Sequence, residues 1–135
     1  MDERSLHSFT LGLLKLTGRH VQWLHIPMSK MGGGRVGGVM RSMGAKAGTP
    51  DFLVIVNGRA HWLELKGQGG RISEAQAGFA VEAILAGCWH EVIDSEEGVL
   101  KYLKKIGAIN AVSKLQKERA GKTQKGRGQG KADKR

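Results

Sequence analysis

Two carboxylates and a lysine lie close together around a strong turn signal in the middle of the chain. Asp51 precedes the dipeptide Asn57-Gly58, and Glu64 and Lys66 follow it. Asn-Gly between apolar segments is the strongest short-range sign of a two-residue β-hairpin loop. In such a hairpin Asp51 faces Glu64, with about 5 Å between the two Cβ atoms. Lys66, two residues after Glu64, points to the same face of its strand.

Facing carboxylates repel each other and destabilise a sheet unless a positive charge lies between them. One interpretation is a surface salt bridge in which Lys66 neutralises Asp51 or Glu64. The other is a divalent cation, because two carboxylate oxygens and a nearby backbone carbonyl suit Mg²⁺, which keeps waters for a substrate phosphate. That cation would polarise a scissile phosphate and acidify a water, and Lys66 would position the water or stabilise the developing charge. The hairpin alone leaves both interpretations open.

These side chains need a sheet to position them, and the hydrophobic periodicity predicts one. Strands are expected at 20–26, 52–56, 60–66 and 88–93, and the main helices at 3–17, 73–86 and after Ser95. The order αβββαβα places a crossover helix between the last two strands, which are therefore parallel, while the first three form an antiparallel meander. The predicted fold class is α/β, with a mixed β-sheet flanked by helices.

A glycine-rich segment at residues 32–38 precedes the hairpin. It formally contains Gly-x-Gly-x-x-Gly, but a dinucleotide-binding loop needs a strand that runs directly into it, and the first strand ends at Pro27. A short helix ending at Gly44 is predicted here instead. Apolar side chains recur at helical spacing in this helix and in the crossover helix, and we expect them to pack in the core. They are Val36, Val39, Met40 and Met43 in the first helix, and Phe79, Ala80, Ala83 and Ile84 in the second.

The chain has a net charge of +10, and most of it lies at the C-terminal end. Residues 114–135 contain nine basic and two acidic side chains in a low-complexity segment rich in Gly, Lys and Gln. We therefore predict one domain at residues 1–113 and a basic, disordered tail at 114–135. The charge of the tail favours a nucleic acid as the partner, and a merely solubilising end is the alternative.

Cysteine usage and hydropathy predict a soluble protein of the cytoplasm with no membrane partner. Cys88 is the only cysteine, so no internal disulfide can form, which fits a reducing compartment. The first residues carry acids where a secretory signal peptide needs bases. No apolar run approaches the roughly 20 residues that a membrane span requires.

Three short segments together resemble the VRR-NUC family of the PD-(D/E)xK nuclease superfamily, in its stand-alone phage and bacterial form. They match the family pattern Gly-x-Pro-Asp, twelve residues, Glu-x-Lys, and then Ser-x-x-Gln at the start of a helix. The glycine-rich segment and residues 43–48 are also similar, and the resemblance extends over roughly residues 3–105. It implies a restriction-endonuclease-like fold. The three segments are Gly48-Thr49-Pro50-Asp51, Trp62-Leu63-Glu64-Leu65-Lys66 and Ser73-Glu74-Ala75-Gln76.

The resemblance implies a role for each residue that matches the central motifs. Asp51 and Glu64 would be metal ligands, with the backbone carbonyl of Leu65 as a third ligand. Lys66 would be the catalytic lysine. The metal would be Mg²⁺ or Mn²⁺.

Two further residues match the family pattern less specifically. Gln76 would be the glutamine of the helix beside the active site, although Ser73-x-x-Gln76 is also a capping box whose glutamine can serve the backbone alone. Glu3 would be the additional acid that the family carries in its first helix. A frayed N-terminal residue is the other interpretation of Glu3.

The implied activity is metal-dependent hydrolysis of DNA phosphodiester bonds. The enzyme would be a homodimeric endonuclease that selects branched DNA such as four-way (Holliday) junctions, in the cytoplasm of a bacterial or phage-infected cell. Flaps, nicks or simple duplex are the alternative substrates. A DNA-binding module with an inactive nuclease site is a further alternative, and the intact Asp51, Glu64 and Lys66 argue against it, since a dead site has no reason to keep opposed carboxylates.

Basic side chains near the predicted site and in the tail are candidates for contact with DNA phosphates. Glycine-rich loops let the backbone and basic side chains approach a duplex closely. Solvated loop charge is the other interpretation of the loop residues. The candidates are Arg35, Lys46 and Arg71 in the loops, and Lys122, Lys125 and Arg127 in the tail.

Overall fold

A four-stranded mixed sheet forms the centre of the computed structural model, which describes residues 1–27 and 34–110. The strands are β1 Val21–His25, β2 Phe52–Val56, β3 Arg59–Leu65 and β4 Trp89–Ile93, and the helices are α1 Glu3–Leu14, α2 Gly34–Ser42, α3 Glu74–Leu85 and α4 Glu96–Lys105. The sheet order is β1-β2-β3-β4, antiparallel up to β3 and parallel between β3 and β4. The predicted α/β fold with a mixed, helix-flanked sheet is confirmed.

The observed element order is αβαββαβα. It includes α2 between β1 and β2, the short helix that was predicted to end at Gly44 but was not counted in the predicted order αβββαβα; the helix ends at Ser42. The first helix is also shorter than the predicted 3–17. It ends at Leu14, and the next residues form turns in which Leu16 and Thr17 donate their N–H groups to carbonyls three residues earlier. Such i to i+3 bonds commonly close the last turn of a helix.

The β2–β3 hairpin has the register that the turn signal predicts. Asn57 and Gly58 both have positive φ angles, 55° and 73°, as a type I′ turn requires. Phe52 pairs with Leu63 and Val56 with Arg59. If this register continues by one residue, Asp51 lies opposite Glu64. Two carboxylates therefore meet at the open end of the hairpin.

The core lies on one face of the sheet, beneath α1 and α4. The side chains of β2 and β3 that point to this face are buried against leucine and valine side chains of the two helices. His61 also points there, and its Nδ1 lies 2.9 Å from the hydroxyl oxygen of Tyr102. On the other face Trp62 packs edge-on against Phe79 of α3, with the ring centroids 5.0 Å apart. The buried core side chains include Phe52, Val54, Val56, Leu63, Leu65, Leu6, Leu14, Val99 and Leu103.

The predicted core packing of α2 and of part of α3 is wrong. Within α2 only Gly37 is buried, whereas Val36, Val39 and nearby Met43 are exposed. Helical spacing shows which side chains share a face, but it does not show whether another element covers that face. Along α3 only Ala83 is buried, and the predicted Ile84 is 60% exposed. We call the exposed residues Val81, Ile84 and Leu85 the α3 outer stripe.

Residues 111–135, which include the predicted tail, lie outside the described residues. Among the helices of residues 1–27 and 34–110, none is long and apolar enough to cross a membrane.

Candidate active site

The open end of the β2–β3 hairpin brings together the side chains that can do chemistry. Asp51 immediately precedes β2, Glu64 is the penultimate residue of β3, and Lys66 immediately follows β3. The Glu64 side chain is only 3% exposed, and Lys66 Nζ lies 3.7 Å from Glu64 Oε2. The Lys66–Glu64 pair of the salt-bridge interpretation is therefore present, but it lies largely buried rather than at the surface. A second carboxylate, that of Asp51, raises the pKa of Glu64 and so acts on it electrostatically.

Two backbone N–H groups fix Asp51, one through its carboxylate and the other through its backbone carbonyl. Its Oδ2 accepts a hydrogen bond from the N–H of Leu65 at 2.8 Å, and its backbone carbonyl accepts one from the N–H of Ile26 at 2.7 Å. These two bonds tie Asp51 to β3 and to the chain that leaves β1. The carboxylate is thus fixed in orientation, with Oδ1 directed toward the imidazole of His7 at 3.5 Å.

Glu64 has one carboxylate oxygen that no group in the described part of the chain satisfies. Its Oε2 accepts a hydrogen bond from Gln76 Nε2 at 2.9 Å and faces Lys66. Its Oε1 is buried and has no hydrogen-bond partner among the described residues. An unsatisfied buried polar group costs about 1–3 kcal/mol, and more if it is charged. A cation bound to Oε1 would remove this cost, so the donor set of Glu64 and Asp51 fits a hard divalent ion.

Burial raises the pKa values of both carboxyl groups. For Glu64, burial and the nearby Asp51 carboxylate raise the pKa to about 7, against the opposing effect of Lys66. For Asp51, burial raises the pKa, while the Leu65 N–H and His7 lower it. The protein therefore holds two carboxylates whose charged forms lack full compensation, as expected where a bound cation normally supplies the positive charge.

Gln76 uses the two ends of its amide for two different partners. Its Oε1 accepts a hydrogen bond from the backbone N–H of Ser73 at 2.7 Å, and Ser73 Oγ accepts one from the backbone N–H of Gln76. This is the capping box predicted from the sequence. With the oxygen directed to Ser73, the amide nitrogen faces Glu64 Oε2. The capping of α3 therefore orients the donor that holds Glu64.

The carbonyl of Leu65 lies on the Asp51 side of β3. Lys66 donates its backbone N–H to Ile93 of β4, and successive residues of a strand direct their backbone groups to opposite sides. Both backbone groups of Leu65 therefore point away from β4, and its N–H already contacts Asp51. This placement directs the carbonyl of Leu65, a fully buried residue, toward the same end of the hairpin as Asp51.

The loop before Asp51 requires a glycine at position 48. Gly48 has a φ angle of 82°, and a Cβ at this position would collide with the backbone carbonyl of Ala75. The loop thus touches the first turn of α3 directly. This contact places the capped end of α3, with Gln76, beside the open end of the hairpin.

Two residues of α1 complete one side of the cluster. Glu3 is the first residue of α1, and its Oε2 lies 3.8 Å from Nε2 of His7, one turn later. The ligand atoms of Glu3, His7 and Asp51 all lie within 4.8 Å of one another. Glu3 was expected near the site, but His7 was not singled out from the sequence. The available signal was its position four residues after Glu3, which puts both on one helix face.

The basic candidates for DNA contact are all at the surface where they are described. Arg35 lies in α2, and Arg71 lies in the loop before α3; both are exposed. Lys46 follows α2, and its Nζ lies 3.3 Å from Glu82 Oε1 of α3, so this charge is partly neutralised within the protein. The remaining three candidates, Lys122, Lys125 and Arg127, lie outside the described residues.

Comparison with known proteins gives a likeness in structure rather than in sequence. No family model and no curated protein matches the sequence. A solved structure described as a VRR_NUC domain protein is similar to this chain with a TM-score of 0.62 and 16% sequence identity. The similarity covers 79% of this chain and 88% of that one. The chain therefore has a VRR-NUC-like fold.

Proposed function

We propose that this protein is a metal-dependent DNA endonuclease of the PD-(D/E)xK type. The observation that carries the proposal is the buried Glu64 carboxylate, which lies beside Asp51 and Lys66 and has one oxygen without a partner within residues 1–27 and 34–110. Without a bound cation, burial and the nearby Asp51 carboxylate disfavour the charged form of Glu64. Asp51, Glu64 and the carbonyl of Leu65 would hold Mg²⁺ or Mn²⁺, both of which accept oxygen ligands.

The residues of the site would have different roles in phosphodiester hydrolysis. A divalent cation at these oxygens supplies polarisation of the scissile phosphate and makes a water easier to deprotonate. Lys66, partly exposed at the rim, donates its N–H groups to the phosphate or the attacking water and stabilises the developing negative charge. Gln76 and the Leu65 N–H hold the carboxylates of Glu64 and Asp51 in place.

The substrate we propose is branched DNA, such as a four-way junction. The net charge of +10 favours a polyanion, and Arg35, Lys46 and Arg71 would contact backbone phosphates. The basic segment 114–135, with Lys122, Lys125 and Arg127, would add contacts that do not depend on sequence. We assign residues 1–113 to the nuclease domain and place the protein in the cytoplasm of a bacterial or phage-infected cell.

A panel of labelled DNAs tests the activity and its preference. Four-way junction, flap, nicked duplex and linear duplex are each incubated with the protein in Mg²⁺, in Mn²⁺ and in EDTA. We expect metal-dependent cleavage that is fastest on the junction. Faster cleavage of flaps or duplex would select the alternative substrates. Tight DNA binding without cleavage in either metal would favour the inactive DNA-binding module.

Gln76 allows a test that separates helix capping from support of Glu64. Ser73→Ala and Gln76→Ala each remove part of the capping box, so each should lower the free energy of unfolding by about 1 kcal/mol. Only Gln76→Ala also removes the donor to Glu64 Oε2. Loss of such a partner of a metal ligand typically costs about 10–100-fold in metal affinity or activity. Cleavage rates and thermal melts of both variants give the comparison, and equal losses of activity would mean that Gln76 acts through the helix alone.

We also propose that the enzyme is a homodimer in which the two chains contact each other through the α3 outer stripe. Val81, Ile84 and Leu85 expose three neighbouring aliphatic side chains, with Leu85 82% exposed. The charged side chains of α3 itself are acidic, Glu74 and Glu82, so the helix adds no positive charge to the side on which the stripe lies. A second copy would bury this apolar surface and place two active sites on one branched substrate.

Light scattering on the purified protein should therefore report about twice the 14.6 kDa chain mass. Leu85→Glu should produce a monomer, because a charge would be buried at the centre of the contact. Since Leu85 is exposed in one chain, the melting temperature of that monomer should change little. Leu24→Glu on β1, where the leucine is 54% exposed, is the matched control. Dissociation by Leu24→Glu with no effect of Leu85→Glu would move the interface to β1.

A further inference from the structure

Exposed basic side chains from three segments of the chain meet at the closed end of the β2–β3 hairpin, opposite the end that carries the carboxylates. Arg19 precedes β1, Arg59 begins β3 directly after the turn, and Lys104 and Lys105 end α4. We propose that these four residues, the closed-end patch, bind the phosphate backbone of a DNA duplex arm away from the cleavage site. The inference rests on the proposed function, because the same DNA must also reach the carboxylates.

The pairing of the sheet brings the first two segments of the patch together. Val21 of β1 pairs with Val56 of β2, and Val56 pairs with Arg59 of β3. These three residues form one row across the sheet at the closed end of the hairpin. Arg19 lies two residues before this row and Arg59 lies in it, so both arginines belong to the same end of the sheet.

Polar contacts attach the end of α4 to this row. Asn57 in the hairpin turn donates a hydrogen bond from Nδ2 to the backbone carbonyl of Ile106 at 3.4 Å. His20 Nε2 lies 3.2 Å from the carbonyl oxygen of Gly107. Both carbonyls directly follow the last turn of α4, which ends at Lys105. The segments that carry the patch are therefore held in a fixed arrangement before any DNA binds.

The charge of the patch is not neutralised by the described part of the chain. None of its four side chains forms an ion pair within residues 1–27 and 34–110. Lys105 Nζ lies 6.0 Å from the centroid of the Tyr102 ring, at the limit of a cation–π contact. The dipole of α4 favours cations at its C-terminal end, which accounts for the two lysines but not for Arg19 and Arg59, since neither arginine lies in a helix. A polyanion would relieve the repulsion among these charges.

The basic C-terminal segment starts from the same end of the domain. Ala108 and Ile109, which follow α4, are buried in the core, so the chain is anchored there shortly before residues 114–135 begin. That segment and the closed-end patch carry charge of the same sign, so the patch repels the segment rather than binding it. Both would attract the same polyanion.

The length of β3 sets the distance between the patch and the proposed catalytic site. Arg59 and Glu64 lie at opposite ends of this strand, so their Cα atoms are about 17 Å apart at roughly 3.3–3.4 Å per residue. A duplex advances about 3.4 Å per base pair, so the patch would contact phosphates about five base pairs from the cleaved bond. Contacts of this kind fix the register and orientation of DNA without reading its sequence. The patch would therefore orient one arm of the substrate.

The salt dependence of DNA binding tests the patch. The probe is a labelled four-way junction in EDTA, so that binding is measured without cleavage. Replacing both Arg19→Gln and Arg59→Gln should make the slope of log affinity against log salt less steep by about 1.8, because each lost phosphate contact contributes about 0.9. At about 0.1 M salt, affinity should fall roughly tenfold or more. The control, Arg41→Gln with Lys101→Gln, removes the same charge from exposed positions of α2 and α4 and should keep the wild-type slope.

Two further measurements on the double arginine variant separate binding from folding and from chemistry. Its melting temperature should not fall, because the change removes charges that repel each other. With Mg²⁺ added, its single-turnover cleavage rate at saturating protein should stay within about twofold of wild type, since the patch is remote from the carboxylates. An unchanged salt slope would overturn the proposal, as would an equal change in the control variant. The expected change in slope with no cleavage by the wild type would support the patch and contradict only the nuclease proposal.

Discussion

Replacing Lys66 with alanine should lower the rate of DNA cleavage by about 10²–10⁴-fold, as is typical when a proton-transferring or charge-stabilising group is removed from a transition state. Lys66 Nζ lies 3.7 Å from Glu64 Oε2 and is partly exposed, so it can reach a substrate phosphate from the rim of the site. The measurement is a single-turnover rate at saturating protein, where a change in DNA affinity does not contribute.

Two variants control this experiment. Lys101→Ala removes the same charge from the exposed surface of α4 and should leave the rate within about twofold, because an exposed charge acts through screened, long-range effects. Lys66→Arg keeps the charge but changes the length and shape of the donor, and should recover only part of the rate. A Lys66→Ala protein that cleaves at the wild-type rate would exclude Lys66 from the chemistry.

Glu64→Gln should stop cleavage and yet make the metal-free protein more stable at pH 8. In the wild type burial and repulsion by Asp51 disfavour the charged form of Glu64, and one of its oxygens has no partner in the described part of the chain. A neutral amide of nearly the same shape removes that charge. The gain in free energy of unfolding has an upper bound of roughly 3 kcal/mol, from the difference between the ordinary pKa of 4.5 and the folded value of about 7.

The pH dependence of this effect has a definite sign. Because the folded protein holds the Glu64 proton more tightly than the unfolded chain, wild-type stability falls as the pH rises from about 4.5 to about 7. Below that window the wild type and Glu64→Gln should be similar, and above it they should differ most. Denaturant unfolding at several pH values in EDTA measures both curves. A Glu64→Gln protein that is less stable at pH 8 would mean that the carboxylate is a structural group.

The same variant tests the metal through stability rather than activity. A ligand that binds only the folded state stabilises it by RT ln(1 + [L]/Kd), or about 1.4 kcal/mol at tenfold excess over Kd. Mg²⁺ should therefore raise the melting temperature of the wild type by a few degrees. Glu64→Gln should lose most of this increase. Equal increases in both proteins would place the Mg²⁺ site elsewhere.

The hairpin and the polar residues at its open end could be predicted from few residues, because local rules determine their positions. Asn57-Gly58 demands a type I′ turn, and that turn fixes the pairing of every residue on both strands. Since side chains alternate along a strand, the pairing also determines which polar groups share the open end. The proximity of Asp51, Glu64 and Lys66 could therefore be predicted from the turn at Asn57-Gly58 and from the number of residues between each of them and that turn.

The wrong predictions concern helix side chains that were expected to be buried. Their burial depends on whether another element packs on that face of the helix, and periodicity gives no information about this. Val39 and Ile84 have the spacing of buried helix residues, yet both are exposed, because no other element among the described residues covers their faces. The same spacing results from a core or from an interface with another molecule. His7 was missed for a related reason. It meets Asp51 through the packing of α1 on the sheet, a contact between residues distant in the chain.

The capping box of α3 has a consequence for the motions of the protein. Helix ends open and close locally far more often than whole domains unfold. Here the end that would open carries the amide that holds Glu64, so each opening of the first turn also releases the carboxylate. If the proposed cation binds at Glu64, its affinity and the closed population of that turn would be thermodynamically linked, and each would change when the other does. Ion binding would then favour the closed first turn of α3, and the rate at which that turn opens would limit how long the ion stays bound.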